Sequence, residues 1–267
     1  MKNLRRLIAV ITAVVLVLPL AASGVQAKTT NQWTAIKKEG KLVVGTESAY
    51  SPFAYYDDDN KLTGFDVEVA KAIGDELGLD VEFVTSDWDG LIAGLDANKY
   101  DVVMDQISIT SARKKKYAFS TPYTYSYGAL IVSEDNDDID SFDDLDGLTT
   151  AQTTTSNWGK MAKKNGATIK EVSGFSEAIQ LVEQGRADAT INDNVTYLDY
   201  KNQQPDAKVK VAALSTDVSR SAVMIRKSGS STLRKKINAA LKNLQEDGTL
   251  SEISNKYFGS DVTQADS

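Results

Sequence analysis

The sequence predicts an α/β fold in two lobes, and three observations carry that expectation. The first is the run Asp101–Tyr123, where the apolar segment Val102–Met104 reads as a buried strand. Polar groups follow it directly: Asp105, Gln106, Ser108, Thr110 and then Arg113. The carboxyl end of a strand in an open α/β sheet is where such folds build a ligand crevice. The second observation is a repeat, in which Leu95–Gln106 and Val182–Asp193 share one pattern about 87 positions apart. Each reads as a helix tail, a residue tolerant of positive φ (Asn98, Gly185), a base, an Asp, and an apolar strand ending in two polar groups. The third is the length of 267 residues, which suits one large domain or two modest ones. Two such lobes with facing strand ends would set Arg113 and Asp193 on opposite walls of one cleft. A small dipolar molecule needs that pair, a cation for its carboxylate and an anion for its ammonium. Read alone, Arg113–Lys116 is equally a solvated basic run.

Composition narrows the chemistry. The chain has 30 bases, 37 acids and a formal charge of −7, with no cysteine and no histidine. Disulfides, thiol nucleophiles, Cys/His zinc sites and a Ser-His-Asp triad are therefore excluded. The first 27 residues hold three bases (Lys2, Arg5, Arg6) and no acid, so the remainder carries about −10. That balance argues against nucleic acid and against adhesion to anionic surfaces.

Taken in order, residues 1–27 read as a secretory signal: bases, an apolar stretch from Leu7 to Leu18, then small residues to Ala27, after which cleavage is expected. The apolar stretch is short for a membrane span, although retention as an N-terminal anchor is the alternative. Leu20–Ser23 has the form of a lipoprotein box with Ser where the lipidated Cys would stand, so no thioether anchor is possible. A lead-in helix is expected from Lys28 to Gly40, then a buried strand at Leu42–Gly45 and a loop, Thr46–Phe53. Tyr50 and Phe53 in that loop are either lids over a ligand or loop anchors. Asp57–Asn60 lacks the Gly and Glu of a calcium loop and reads as a hairpin turn between Tyr55–Tyr56 and Leu62, with no metal. Asp66 is placed to cap a helix whose Val69, Ala70, Ile73 and Leu77 share a face, ended by Gly78. Val81–Val84 is a strand, and Trp88 at the next helix start is either crevice or core. Tyr127–Ser133 is a strand, and the acidic Glu134–Asp146 reads as solvated surface. A new unit begins at Leu148. Its Thr153–Ser156 are either an anion seat at a helix start or plain N-caps. Helices are expected at Asn157–Asn165, Phe175–Gln184 and Val195–Asn202. Strands are expected at Ala189–Ile191, Val209–Ala213 and Ser221–Arg226. Terminal helices follow, with Leu233, Ile237, Leu241 and Leu244 on one face, and then a polar tail.

With these residues in place, about Gly40 to Gly259 resembles the polar amino-acid receptors of ABC importers, the family 3 extracellular solute-binding proteins. The resemblance rests on Gly45–Glu47 with Tyr50–Phe53, Gly64–Glu68, Trp88–Leu91, Ser108–Thr110 with Arg113, Phe119–Tyr123, Asp144–Gly147 and Asp247–Thr249. It implies a type II periplasmic-binding-protein-like fold, each lobe a mixed five-stranded sheet flanked by helices, joined by two crossing strands. The implied division is 1–27 signal, 28–126 plus 222–260 lobe 1, 131–217 lobe 2, 127–130 and 218–221 hinge, and 261–267 a flexible tail. It further implies that Arg113 takes the ligand α-carboxylate with backbone amides at Ser108 and Thr155. Asp193 would take the α-ammonium with the Ser108 hydroxyl and the Gln106 carbonyl. Tyr50 and Trp88 would sandwich the aliphatic part, with Glu47, Asp105, Thr154 and Asn157 lining the side-chain pocket. A narrower resemblance, to L-cystine-binding members, rests on Ala151–Gln152, Thr155–Asn157, Ala187–Thr190 with Asn192–Asp193, and Leu198–Tyr200. The implied partners are an amino acid, a membrane permease and its ATPase, with the protein a monomer outside the cytoplasm. No cofactor is implied, and no phosphate-binding loop for ATP is present. Basic amino acids are the rival ligand for acids at Glu47 and Asp105. From other classes, a secreted dehydratase using Glu47 or Asp105 and a sensory or adhesive surface protein are the rivals.

Overall fold

The structure is a computed structural model and describes residues 31–265. Residues 1–27, expected to be a secretory signal, lie outside the described residues. Two five-stranded sheets organise the chain. The first contains β1 (Lys41–Thr46), β5 (Asp80–Thr85), β6 (Val102–Val103), β7 (Tyr117–Phe119) and β13 (Met224–Arg226), in the order β5-β1-β6-β13-β7. The second contains β8 (Thr124–Ser133), β9 (Thr149–Gln152), β10 (Thr168–Glu171), β11 (Ala189–Asp193) and β12 (Val209–Ser221), in the order β10-β9-β11-β8-β12. In each, three neighbouring strands pair in parallel and the other pairings are antiparallel, so both sheets are mixed. A small sheet of β2 (Ala49–Tyr50), β3 (Ala54–Tyr56) and β4 (Leu62–Thr63) hangs from the first, with the expected hairpin at Asp57–Asn60.

Helices cover the sheet faces. Around the first sheet run α1 (Gln32–Glu39), α2 (Phe65–Leu77), α3 (Trp88–Asp96), α4 (Ser111–Lys116), α8 (Ser231–Glu246) and α9 (Thr249–Phe258); around the second run α5 (Asn157–Lys164), α6 (Phe175–Glu183) and α7 (Asn194–Gln203). On α2 the stripe Val69, Ala70 and Ile73 is buried, as its 3.6-residue spacing requires. At the two repeated helix exits, Asn98 has φ 57° and Gly185 φ 65°, the left-handed turns that the pattern demanded.

The chain passes between the sheets twice, along β8 and β12. These pair antiparallel from Thr124↔Ser221 to Ser133↔Val209, with register shifts at Val211/Ala213 and Leu214/Val218. The expected strands Val209–Ala213 and Ser221–Arg226 are thus divided differently, as one bulged strand and a separate β13. Bulges let a single strand bend where it leaves one sheet for another. Asp66 also departs from expectation. Gly64 is the N-cap of α2, and the Asp66 carboxylate turns inward to Gln106 and Tyr123. Residues 261–263 are not loose: Tyr125 N donates to Val262 O at 2.8 Å, and Thr263 is buried.

Candidate functional site

The strand ends of both sheets converge on one small cavity. The first lobe contributes Glu47 after β1, Tyr50 from β2, Trp88 at the start of α3, and Asp105 and Gln106 after β6. The second contributes Asn192 and Asp193 from β11, Thr153, Ser156, Asn157 and Trp158 around the start of α5, and Phe175 at the start of α6. Of the residues expected in the site, Glu47, Tyr50, Trp88, Asp105, Gln106, Asn157 and Asp193 line this cavity, whereas Arg113, Ser108, Thr154 and Thr155 do not.

Asp193 is 3% exposed and accepts from Ser126 Oγ, Trp158 Nε1 (3.2 Å) and Tyr50 OH (3.3 Å). The Tyr50 hydroxyl also lies 2.9 Å from Asn192 Oδ1. One phenolic proton serves one acceptor at a time, so Asn192 and Asp193 compete for it. Burial raises the Asp193 pKa from its ordinary value, and no cationic side chain pairs with it among the described residues.

Arg113 sits on α4, which Thr110 caps by accepting from Arg113 N. Its guanidinium donates from Nη1 to Ser108 O at 3.0 Å and lies 5.3 Å from the Trp88 ring centroid, while Nη2 is buried without a partner. Burial pulls its pKa down to about 10. A buried cation on one lobe and a buried carboxylate on the other are thus both left unpaired. Isolated buried charges are costly unless something arrives to pair them.

A second acidic feature lies on the first lobe. Asp105 Oδ1 accepts from Thr46 Oγ1 (3.1 Å) and Glu47 N (2.9 Å), but Oδ2 has no donor. Burial lifts Asp105 to about pKa 6; burial, and then the facing Asp105, hold Glu47 well above the usual carboxylate range. Two enclosed carboxyls side by side share a proton or take a cation between them.

Several residues serve differently from the expectation. The Tyr50 ring packs on Phe53 at 5.0 Å and its hydroxyl reaches the opposite lobe, so it anchors the far wall rather than acting only as a flat cover. Trp88 stacks on Arg113 and donates from Nε1 to Thr155 Oγ1 at 3.0 Å, and Thr155 donates in turn to Asp89 at 2.6 Å. The Ser108 hydroxyl is occupied by Ser219 at 3.0 Å, and Thr154 Oγ1 is buried without a partner. Trp158, Ser126, Asn192 and Phe175 were not expected in the site. Trp158 is signalled only by its place beside Asn157 at a helix start, and Ser126 only as a hydroxyl within an apolar strand. Further bonds join the lobes at the rim, where Ser51 Oγ donates to Asp199 Oδ2 at 2.8 Å and Gln203 Nε2 donates to Ser51 Oγ at 3.0 Å.

Two sheets closing on a cavity lined by Glu47 and Asp105 on one wall and Asp193 on the other define a two-lobed binding fold. Residues 42–260 match the bacterial extracellular solute-binding proteins, family 3, and the chain belongs to that family. It is 44% identical over 229 residues to a probable amino-acid ABC transporter-binding protein of Haemophilus influenzae, covering 86% of this chain and 89% of the relative. It is 43% identical over 239 residues to the L-cystine-binding protein TcyA of Bacillus subtilis, covering 89% and 88%. Among solved structures, an ancestral arginine-binding protein bound to arginine superposes with a TM-score of 0.77 at 41% identity, covering 82% of this chain and 99% of that one. The unliganded, open L-cystine receptor of Neisseria gonorrhoeae gives 0.60 at 38% identity, covering 87% and 99%. Similar identity with a lower score for the open form agrees with the lobe-to-lobe hydrogen bonds: the structure is closed. The chain is an amino-acid-binding protein of the ABC-transport class and works outside the cytoplasm; its named relatives are binding proteins, not enzymes.

Proposed function

We propose that the protein is an L-cystine receptor that closes around its ligand and hands it to a membrane permease powered by an ATPase. The observation that carries the amino-acid part is the pair Arg113 and Asp193, two buried, unpaired, opposite charges on different lobes. In this reading Arg113 takes the α-carboxylate and Asp193 the α-ammonium. The orphaned Asp105 Oδ2 with Glu47 takes the second ammonium of a doubly zwitterionic ligand. The 43% identity to TcyA, whose name states cystine binding, supports that choice. The acidic pair also favours a second reading, a basic amino acid whose side-chain cation would sit in the same place, in line with the arginine-bound relative.

Lobe 1 would comprise 28–126 plus 222–260, and lobe 2 131–217, hinged at 127–130 and 218–221 along β8 and β12. The ligand touches both walls only when the lobes meet, so binding draws the population toward the closed form. The protein would act as a monomer released by cleavage after Ala27. A thermal-shift screen with L-cystine, L-arginine, L-lysine, L-histidine and L-glutamine tests the assignment, since a ligand that binds only the folded state raises the melting temperature. Stabilisation by cystine alone supports the first reading, stabilisation by arginine or lysine alone the second. Stabilisation by none of the five overturns both.

A further inference from the structure

Gln106 is a non-glycine residue with φ +48°, in the left-handed region that side chains resist. It lines the ligand cavity and is 4% exposed. Something must hold it there, and Asp66 is bonded to it twice. Gln106 N donates to Asp66 Oδ2 at 2.8 Å, and Gln106 Nε2 donates to Asp66 Oδ1 at 2.8 Å. The carboxylate thus fixes the backbone and the side chain together. It also settles which way the amide faces. With Nε2 against Asp66 and Thr124 Oγ1 (3.3 Å), a swapped amide would set oxygen against a carboxylate. Gln106 Oε1 is consequently directed away from Asp66, and it is buried with no partner. A buried amide oxygen without a donor is an acceptor awaiting a ligand.

We propose that Asp66 is a positioning residue of the binding site: it locks Gln106 in the left-handed conformation with its amide oxygen toward the cavity, where that oxygen accepts from a cationic group of the ligand. The proposal rests on the reading of the cavity as an amino-acid site. Asp66 is suited to the task because, among the described residues, the only other hydrogen bond to its carboxylate comes from Tyr123 OH at 3.0 Å, and no base is among the carboxylate's hydrogen-bond partners. It sits in the first turn of α2, so the clamp is built on a rigid element.

A double-mutant cycle separates positioning from support of the fold. Wild type, Asp66→Asn, Gln106→Gly, the double variant and Tyr123→Phe are titrated calorimetrically with L-cystine and with L-arginine. Glycine adopts positive φ freely, so Gln106→Gly removes both the amide oxygen and the need for a clamp. Asp66→Asn should weaken the probe that binds wild type by at least about tenfold, and Gln106→Gly by a similar factor. In the glycine background Asp66→Asn should then cost less than about twofold, and Tyr123→Phe should stay within about threefold of wild type. An Asp66→Asn variant with unchanged affinity, or one that costs a further tenfold in the glycine background, overturns the proposal. If Asp66→Asn fails to fold while the double variant folds, the clamp is supported; if neither folds, it is overturned. Should wild type bind neither probe, the amino-acid reading fails separately. The clamp is then judged from a crystal structure of Asp66→Asn, where Gln106 must leave the left-handed region.

Discussion

Replacing Arg113 by Met acts on the two states of the protein with opposite signs. In the closed cleft Arg113 is 5% exposed, spends Nη1 on Ser108 O and leaves Nη2 unbonded. Burial draws its pKa down from the ordinary guanidinium range to about 10 with no carboxylate in opposition. A shift of that size corresponds to about 3 kcal/mol against the charged form. The Ser108 carbonyl and the Trp88 face return about 1 kcal/mol each. A base with a depressed folded pKa penalises folding at every pH below about 10 and is relieved only as pH climbs from there toward the ordinary guanidinium range. At pH 7, therefore, Arg113→Met should leave ligand-free stability unchanged or raise it by about 1 kcal/mol, a Tm gain of about 0–4 °C. Methionine retains much of the apolar stem. Affinity moves the other way. An unpaired ligand carboxylate costs about 2–5 kcal/mol, a loss of roughly thirtyfold to several thousandfold. Scanning calorimetry without ligand and titration calorimetry with it read both halves. A variant that binds within threefold of wild type removes Arg113 from the site. A ligand-free variant melting well below wild type makes the guanidinium a prop of the fold instead.

Asp193→Asn should weaken zwitterionic ligands by about 2–5 kcal/mol while circular dichroism stays native; retained affinity would dissociate Asp193 from the ammonium. Trp158→Phe keeps an aromatic ring, though a smaller one, and removes the 3.2 Å bond to Asp193, so affinity should fall by at least about fivefold to tenfold, the worth of one hydrogen bond. Acid pKa values raised to about 6 at Asp105 and about 7 at Asp66 supply stability that is full below pH 4 and is lost as pH rises through 6 and 7. The ligand-free Tm should fall between pH 5 and pH 8, and Asp105→Asn should flatten that slope; a Tm rising over this range would contradict the burial of these carboxyls. Ser51→Ala removes two lobe-to-lobe bonds made by residues outside the cavity lining, so dissociation should quicken severalfold in stopped-flow fluorescence with the association rate little changed.

How far the fold could be read in advance differs from residue to residue. Asn98 and Gly185 were legible because a helix exit needs a left-handed residue within one turn. Asp105 and Asp193 were legible as polar groups at the carboxyl ends of apolar strands. Asp66 was misplaced for the opposite reason. A carboxylate near a helix start satisfies the capping pattern, but its partners Gln106 and Tyr123 lie 40 and 57 positions away. Trp158 and Ser126 escaped notice likewise, since their bonds to Asp193 span 35 and 67 positions. The length of β12 was misjudged because its bulges answer to pairing with β8 rather than to its own sequence.

The sequence by itself determined the α/β class, the doubled helix-to-strand unit, the absence of cysteine and histidine chemistry, and the two opposite charges that the cleft would need. Those properties arise from periodicity, turn preference and composition, which act over a few residues. Only the tertiary structure decided that Arg113 and Asp193 are both buried and unpaired, that Tyr50 bonds across the gap, and that Asp66 clamps Gln106. Burial and hydrogen-bond partnership depend on distant segments meeting in space, and a local pattern holds no record of them.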